Sequence, residues 1–100
     1  MSEKIYSINE ITDILLPIIK KYHAKQAILF GSYARKEADK DSDIDVMVIG
    51  GSSFEPTDVF CIADELNRRV GKPVDVYEES EIDHASGFYR NIIGEGVEIA

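Results

Sequence analysis

The spacing of apolar residues along the chain predicts alternating helices and strands. Apolar side chains recur at helical spacing from Ile8 onward, directly after Ser7, which forms a capping-box pattern with Glu10. This pattern predicts a first amphipathic helix, bent or tightened near Pro17, since proline removes one helical hydrogen bond. The short apolar run at residues 26 to 30 then predicts a buried strand.

The same reasoning extends to the rest of the chain. The further predicted elements are a short helix over 33–38, a strand over 43–49, a helix over 59–70, a strand over 74–77, a helix over 82–93 and a strand over 97–99. Ser32 and Ser80 are expected to lie near the N-caps of the first and last of these helices. Because the strands are short and alternate with helices, we predict an α+β fold with a mixed β-sheet and helices packed on it.

Length and charge narrow the classes of protein that this chain can represent. One hundred residues with 44% hydrophobic content predict a single domain over 1–100 with one core, so an active site would be shallow or completed by another molecule. The net charge of -8 argues against direct nucleic-acid binding and favours a basic partner or a cation. With Cys61 as the sole cysteine and no apolar run of ~20 residues, we expect a cytoplasmic protein without a membrane span.

Two aspartates head the strand predicted at 43–49, and a third lies within the strand predicted at 74–77. Since side chains alternate across a strand, Asp43 and Asp45 should share one face, and Asp75 should also point away from the apolar face of its own strand. If these strands are neighbours, the carboxylates converge, and each ionised pair ~4 Å apart repels by roughly 4 kcal/mol. A divalent cation would offset this repulsion, and Mg²⁺, singly or in a two-metal site, suits such oxygen ligands.

The turn after the first strand could bind phosphate. Gly31 permits close backbone approach, free amides near Ser32 could face a triphosphate, and Arg35 could reach its oxygens. Each feature also has an ordinary structural explanation. Gly31 and Ser32 could form only a strand-to-helix turn with its cap. The aspartates could be surface acids at a strand edge, and Arg35 could be a solvated basic residue. An EF-hand is excluded by spacing, and the two histidines stand in no ligand pattern.

Taken together, the motif is Gly-Ser, ten intervening residues, Asp-x-Asp, and a third aspartate on a valine-flanked strand. This arrangement resembles the nucleotidyltransferases of the DNA polymerase beta superfamily. The chain length and the stretch GSYARKEA resemble minimal nucleotidyltransferases, close to the MntA-type antitoxins that pair with a HEPN-domain toxin. One position departs from the pattern, because many relatives have glycine where this chain has Lys36.

The resemblance implies a polymerase beta-like fold and a role for each motif residue. Asp43 and Asp45 would bind both metal ions, and Asp75 would complete the site nearer the nucleophile and help to activate it. Gly31 and Ser32 would hold the β and γ phosphates of ATP. The implied reaction is transfer of AMP to a hydroxyl, with loss of pyrophosphate. For MntA-like relatives the implied acceptor is a tyrosine of the HEPN toxin, with which the chain would form a hetero-oligomer.

Two other functions remain open from the sequence. The chain could be a binding module that neutralises its partner by occlusion, with its negative charge steering a basic surface toward it. Alternatively, it could transfer a nucleotide to a small molecule or an RNA end. The acidic balance and the absence of the extra helical domain that larger relatives use to hold an acceptor both disfavour this last alternative.

Overall fold

The computed structural model describes residues 3–100, in which strands and helices alternate much as the sequence predicts. In chain order the elements are α1 (Ile8–Lys21), β1 (Gln26–Phe30), β2 (Ile44–Ile49), α2 (Asp58–Val70), β3 (Val74–Glu78), a 3-10 turn (Glu79–Glu81), α3 (Gly87–Glu95) and β4 (Val97–Glu98). The capping box at the start of α1 is confirmed, since Ser7 Oγ accepts from the Glu10 amide at 3.0 Å and Glu10 Oε1 accepts from the Ser7 amide at 2.9 Å. Pro17 lies inside the helix, as predicted.

The four strands form one mixed sheet in the order β3-β2-β1-β4. β1 pairs antiparallel with both β2 and β4, whereas β2 and β3 pair parallel. The α+β prediction with a mixed sheet is therefore confirmed. Within the part of the chain that the structure describes, β3 and β4 are the two edge strands of this sheet.

The two faces of the sheet have different roles. Ile44, Val46 and Val48 of β2 are fully buried in the main core, which they share with residues of α1 and α2. On the other face, Met47 packs with Phe30 and with Ile92 of α3. The alternation of β2 therefore places Asp45 on the face covered by α3, opposite the main core.

Two predicted helical segments are wrong. Residues 33–38 form no helix but a turn, in which the Glu37 amide reaches back to the Ser32 carbonyl at 2.9 Å and Lys36 takes a left-handed conformation with φ 60°. A left-handed residue cannot continue a right-handed helix, so Ser32 caps none here.

The last helix also begins later than predicted. Ile82 has an extended backbone (φ -101°, ψ 134°), so α3 does not run back to Ser80, which belongs to the 3-10 turn. Ser86 is the true N-cap, and its hydroxyl accepts from the Tyr89 amide at 3.1 Å.

Among residues 3–100, none of the helices has the length and apolar character needed to cross a membrane.

Candidate active site

A cleft of about 410 Å³ lies where β1 ends, β2 begins and α3 crosses the sheet. Its lining residues are Phe30, Gly31, Ser32, Arg35, Asp43, Asp45, Phe88, Asn91, Ile92 and Glu95. Five of the six residues singled out in the sequence therefore share one cleft. The sixth, Asp75, does not line it but lies next to Asp45 on the neighbouring strand.

A larger cavity of about 470 Å³ lies elsewhere, at the start of α1, and includes Tyr33 and Lys36 in its wall. It carries no acidic side chain among its lining residues. The smaller cleft, which combines carboxylates, a glycine turn and a guanidinium group, is therefore the better candidate for phosphate chemistry.

The three aspartates come together through strand pairing. β2 and β3 run parallel with Asp45 in register with Asp75, and Asp43 stands two residues before Asp45 on the same face. Ile44 between them donates its amide to the Pro73 carbonyl at 3.0 Å, which anchors the start of β2 against the segment leading into β3. The condition for convergence of the carboxylates, that the two strands are neighbours, is thus met.

Asp45 is partly buried, whereas Asp43 and Asp75 are exposed. Burial, followed by the charges of Asp75 and Asp43, raises the pKa of the Asp45 carboxyl to about 6, while Arg35 acts in the opposite direction. A carboxyl that is desolvated and flanked by like charges strongly favours a proton or a bound cation. The site therefore contains an uncompensated negative charge that a metal ion could neutralise.

The donor set fits a hard divalent ion such as Mg²⁺. Within residues 3–100, no three acidic, imidazole or thiol side chains are already gathered closely enough to hold a metal ion by themselves. Mg²⁺ does not need such a cage, because it keeps several waters and is usually held by one or two carboxylates together with substrate phosphates. Asp43, Asp45 and Asp75 are the residues that would hold it.

Gly31 brings the turn unusually close to Asp45. Its backbone is left-handed, with φ 76°, and a Cβ atom at this position would lie 2.5 Å from Asp45 Oδ2. A side chain of any kind would therefore strain the backbone and displace the carboxylate. Glycine at this position joins the turn and the Asp45 carboxylate into one compact unit.

Lys36 occupies the position at which the sequence departs from the family motif. Its left-handed φ of 60° is the conformation that glycine adopts without steric cost, and a lysine pays roughly 1 kcal/mol for it. The turn therefore takes a glycine-compatible shape despite the substitution. The Arg35 amide still donates to the Gly31 carbonyl at 3.1 Å, which closes the turn.

Arg35 faces the cleft but is already paired with two carboxylates. Its Nη1 donates to both carboxylate oxygens of Glu95 at 3.1 Å, and its Nε donates to Glu37 Oε2 at 3.3 Å. The hydrogen bonds to Glu95, followed by the one to Glu37, raise the pKa of Arg35 above its ordinary value. The guanidinium group thus lines the cleft with an internal carboxylate as its partner.

The residues that α3 contributes to the cleft were not predicted. Phe88, Asn91, Ile92 and Glu95 form one helical stripe along its wall, and Phe88 also packs edge-on against Phe30 and Tyr77. This i, i+3, i+4, i+7 spacing is visible in the sequence. The helix predicted from the sequence, however, ends before Gly94 and therefore leaves Glu95 outside. In the structure α3 runs from Gly87 to Glu95, so it continues past Gly94 and contains the whole stripe.

The shifted pKa of Asp45 leads to a prediction about stability without metal. The folded state holds a proton on Asp45 up to about pH 6, whereas an ordinary carboxyl releases it near 3.8. The free energy of unfolding should therefore fall as the pH rises through this window. We therefore expect the Asp45→Asn variant, in EDTA, to have a free energy of unfolding about 1–2 kcal/mol above that of wild type near pH ~7.5. This figure includes a reduction for solvent screening. Near pH ~4 the two proteins should differ little.

Urea unfolding at the two pH values measures this difference. Asp13→Asn, which removes one exposed carboxylate from α1, is the matched control for loss of a negative charge. An Asp45→Asn variant less stable than wild type at the higher pH would contradict the prediction, because it would mean that the ionised carboxylate stabilises the fold.

Several known proteins are similar to this chain in sequence. The chain matches the family model described as polymerase beta, nucleotidyltransferase, over residues 10–100. A relative from Methanocaldococcus jannaschii, named as a candidate protein adenylyltransferase, is 41% identical over 76 residues, which are 76% of this chain and 82% of the relative.

Two solved structures resemble the fold as a whole. A toxin-antitoxin crystal structure with AMP-PNP superposes with a TM-score of 0.76 at 16% identity, covering 89% of this chain and 72% of that one. A complex of a tri-AMPylated Shewanella oneidensis HEPN toxin with its MNT antitoxin gives a TM-score of 0.69 at 15% identity, covering 90% and 69%. At these identities the two structures establish similarity of fold.

Proposed function

The chain belongs to the polymerase beta nucleotidyltransferase family, and from this premise we propose that it transfers AMP from ATP to a tyrosine hydroxyl of a HEPN-domain toxin. Pyrophosphate is the second product, and modification of the toxin makes the chain an antitoxin. The observation that carries this proposal is the register of Asp45 with Asp75 beside the cleft that also contains Gly31 and Ser32. In this arrangement the acidic residues and the turn that we propose binds phosphate lie next to each other, as such an enzyme requires.

The known relatives support the choice of acceptor and nucleotide. The M. jannaschii relative is named for adenylyl transfer to protein, and the S. oneidensis neighbour holds a toxin that carries AMP groups. Another neighbour was crystallised with the ATP analogue AMP-PNP. ATP as donor and a HEPN toxin as acceptor are therefore our proposal for this chain.

On the donor side, the glycine turn binds the phosphate tail. Gly31 lets the backbone approach the phosphates, and Ser32 lies beside it in the cleft wall. Arg35 provides a cation at the same end of the cleft. These groups hold the β and γ phosphates, which aligns the α-phosphorus with the three aspartates.

On the chemical side, the acceptor oxygen forms a bond to the α-phosphorus while the bond from that phosphorus to the bridging oxygen breaks. The electron pair leaves with pyrophosphate, and Asp75 accepts the proton of the attacking hydroxyl. Asp43, Asp45 and Asp75 would hold Mg²⁺, which would supply charge neutralisation for the phosphates and a lower pKa for the nucleophile. Asp45, the most desolvated of the three, contributes most to attracting the ion.

The acceptor side is open, as a protein substrate requires. Asp75 is exposed on β3, which is an edge strand of the sheet within residues 3–100. A tyrosine of a second protein can therefore reach Asp75 from outside the sheet edge. The net charge of -8 favours a partner with a basic surface.

The direct test is a labelling experiment with a HEPN-domain protein co-expressed with this chain. The two proteins are incubated with Mg²⁺ and ATP labelled at the α-phosphorus, and the toxin is analysed by gel and mass spectrometry. We expect label on a toxin tyrosine, with release of pyrophosphate. ATP labelled at the γ-phosphorus is the control and should leave the toxin unlabelled.

Other outcomes would reject the proposal. Label from the γ-phosphorus would indicate phosphorylation, and label on RNA or a small molecule in the absence of the toxin would indicate a different acceptor. Absence of any transfer, with an intact complex, would leave the chain as a binding module.

A further inference from the structure

Glu95 occupies the end of the cleft where phosphate is expected. One carboxylate oxygen, Oε1, accepts from the Gly31 amide at 3.3 Å, and both oxygens accept from Arg35 Nη1 at 3.1 Å. A backbone amide beside a glycine turn and a guanidinium group are the donors that recognise a phosphate oxygen. An anion supplied by the protein itself therefore already satisfies both donors.

Helix stability does not explain this position. Glu95 is the last residue of α3, where the partial negative charge of the helix end disfavours a carboxylate. Its location follows instead from the turn at Gly96, where a Cβ atom would lie 2.4 Å from both the Ile92 carbonyl oxygen and Ile28 Cγ2. This tight turn, and the pairing of β4 with β1, hold the end of α3 above Gly31.

The contact is also weak enough to be exchanged. The side chains of Arg35 and Glu95 remain 42% and 28% exposed, and ion pairs of this exposure contribute little to stability. A ligand that carries more negative charge can therefore replace Glu95 at modest cost. The exchange needs only a rotation of the Glu95 side chain, because its backbone is held by the helix and by Gly96.

We propose that Glu95 is an internal competitor of the nucleotide, whose carboxylate occupies the subsite of the terminal phosphates and must leave before ATP binds. This inference rests on the proposed function, since it assigns Gly31 and Arg35 to the phosphate tail. Glu95 thereby sets the affinity for ligands that carry β and γ phosphates and leaves the affinity for AMP unaffected. When pyrophosphate departs, the carboxylate returns to both donors and favours product release.

The test is calorimetric titration of the whole chain with AMP-PNP in the presence of Mg²⁺. Glu95→Gln keeps the size of the side chain and an oxygen acceptor but removes the charge, so we expect AMP-PNP to bind roughly tenfold more tightly than to wild type. Binding of AMP should change less than about twofold. Thermal unfolding of each variant shows whether the fold is retained.

Glu37→Gln is the matched control. Glu37 also pairs with Arg35, at 3.3 Å, but it does not line the cleft and has no hydrogen bond to Gly31 among those of the described residues. Its loss should change AMP-PNP affinity less than about threefold. In an Arg35→Gln background, the gain from Glu95→Gln should shrink, because one of the two contested donors is gone.

The outcomes separate this inference from the proposed function. Unchanged or weaker AMP-PNP binding by Glu95→Gln would overturn the inference, and a weaker affinity would mean that Glu95 positions Arg35 for the nucleotide. An equal gain for AMP and AMP-PNP would also overturn it, because the effect would then not concern the terminal phosphates. If neither wild type nor Glu95→Gln binds AMP-PNP, the proposed function fails together with the inference.

Discussion

Asp43→Asn is expected to lower AMP transfer to the toxin roughly 10³-fold, because it removes one of the charges that would hold a metal ion at the reacting phosphate. Asp43 precedes β2, is exposed, and lines the cleft without entering either buried cluster. The substitution should therefore leave the fold and the binding of the toxin intact. Initial rates of label transfer from α-labelled ATP, measured at saturating Mg²⁺, check this expectation.

Asp41→Asn provides the matched control, since Asp41 is an exposed aspartate two positions earlier that does not line the cleft. It should retain nearly full transfer activity. Protection of cells from the toxin gives a second readout, which separates catalysis from occlusion. An Asp43→Asn variant that still protects cells would contradict the enzymatic antitoxin and favour a module that acts by binding alone.

The second large effect is expected for Gly31→Ala. The left-handed φ of 76° costs alanine roughly 1 kcal/mol, and the new Cβ would meet Asp45 Oδ2 at 2.5 Å, so we expect a loss of about 2 kcal/mol in the free energy of unfolding. Displacement of Asp45 should also lower AMP transfer about 100-fold, because small misplacements of reacting groups are costly. Urea unfolding and the labelling assay measure the two effects separately.

Gly94→Ala is the contrasting substitution. Gly94 lies within α3, and a Cβ atom there would meet nothing within 4 Å. This variant should gain about 0.5–1 kcal/mol in stability, since alanine is the better helix former. If Gly31→Ala were as stable and as active as wild type, the close contact between the turn and Asp45 would have no part in the site.

Local sequence patterns were sufficient for most of the elements but not for the conformation of every turn. Alternation along β2 predicted that Asp45 would face away from Val46, because side-chain direction in a strand depends only on neighbouring positions. The same local reasoning failed at Lys36, where the tertiary structure imposes a left-handed conformation on a residue that would ordinarily continue a helix. It failed again at Ser80, because both Ser80 and Ser86 could begin the last helix and the structure has Ser86 as its N-cap.

The sequence by itself determined the alternation of elements, the α+β class and the identity of the six candidate residues, since all of these follow from periodicity and spacing along the chain. Only the tertiary structure decided which of these residues meet. The parallel pairing of β2 with β3 places Asp75 opposite Asp45, and the packing of α3 brings Glu95 to Gly31, 64 positions away. Such contacts depend on strand pairing and helix packing between distant segments, and no local pattern contains them.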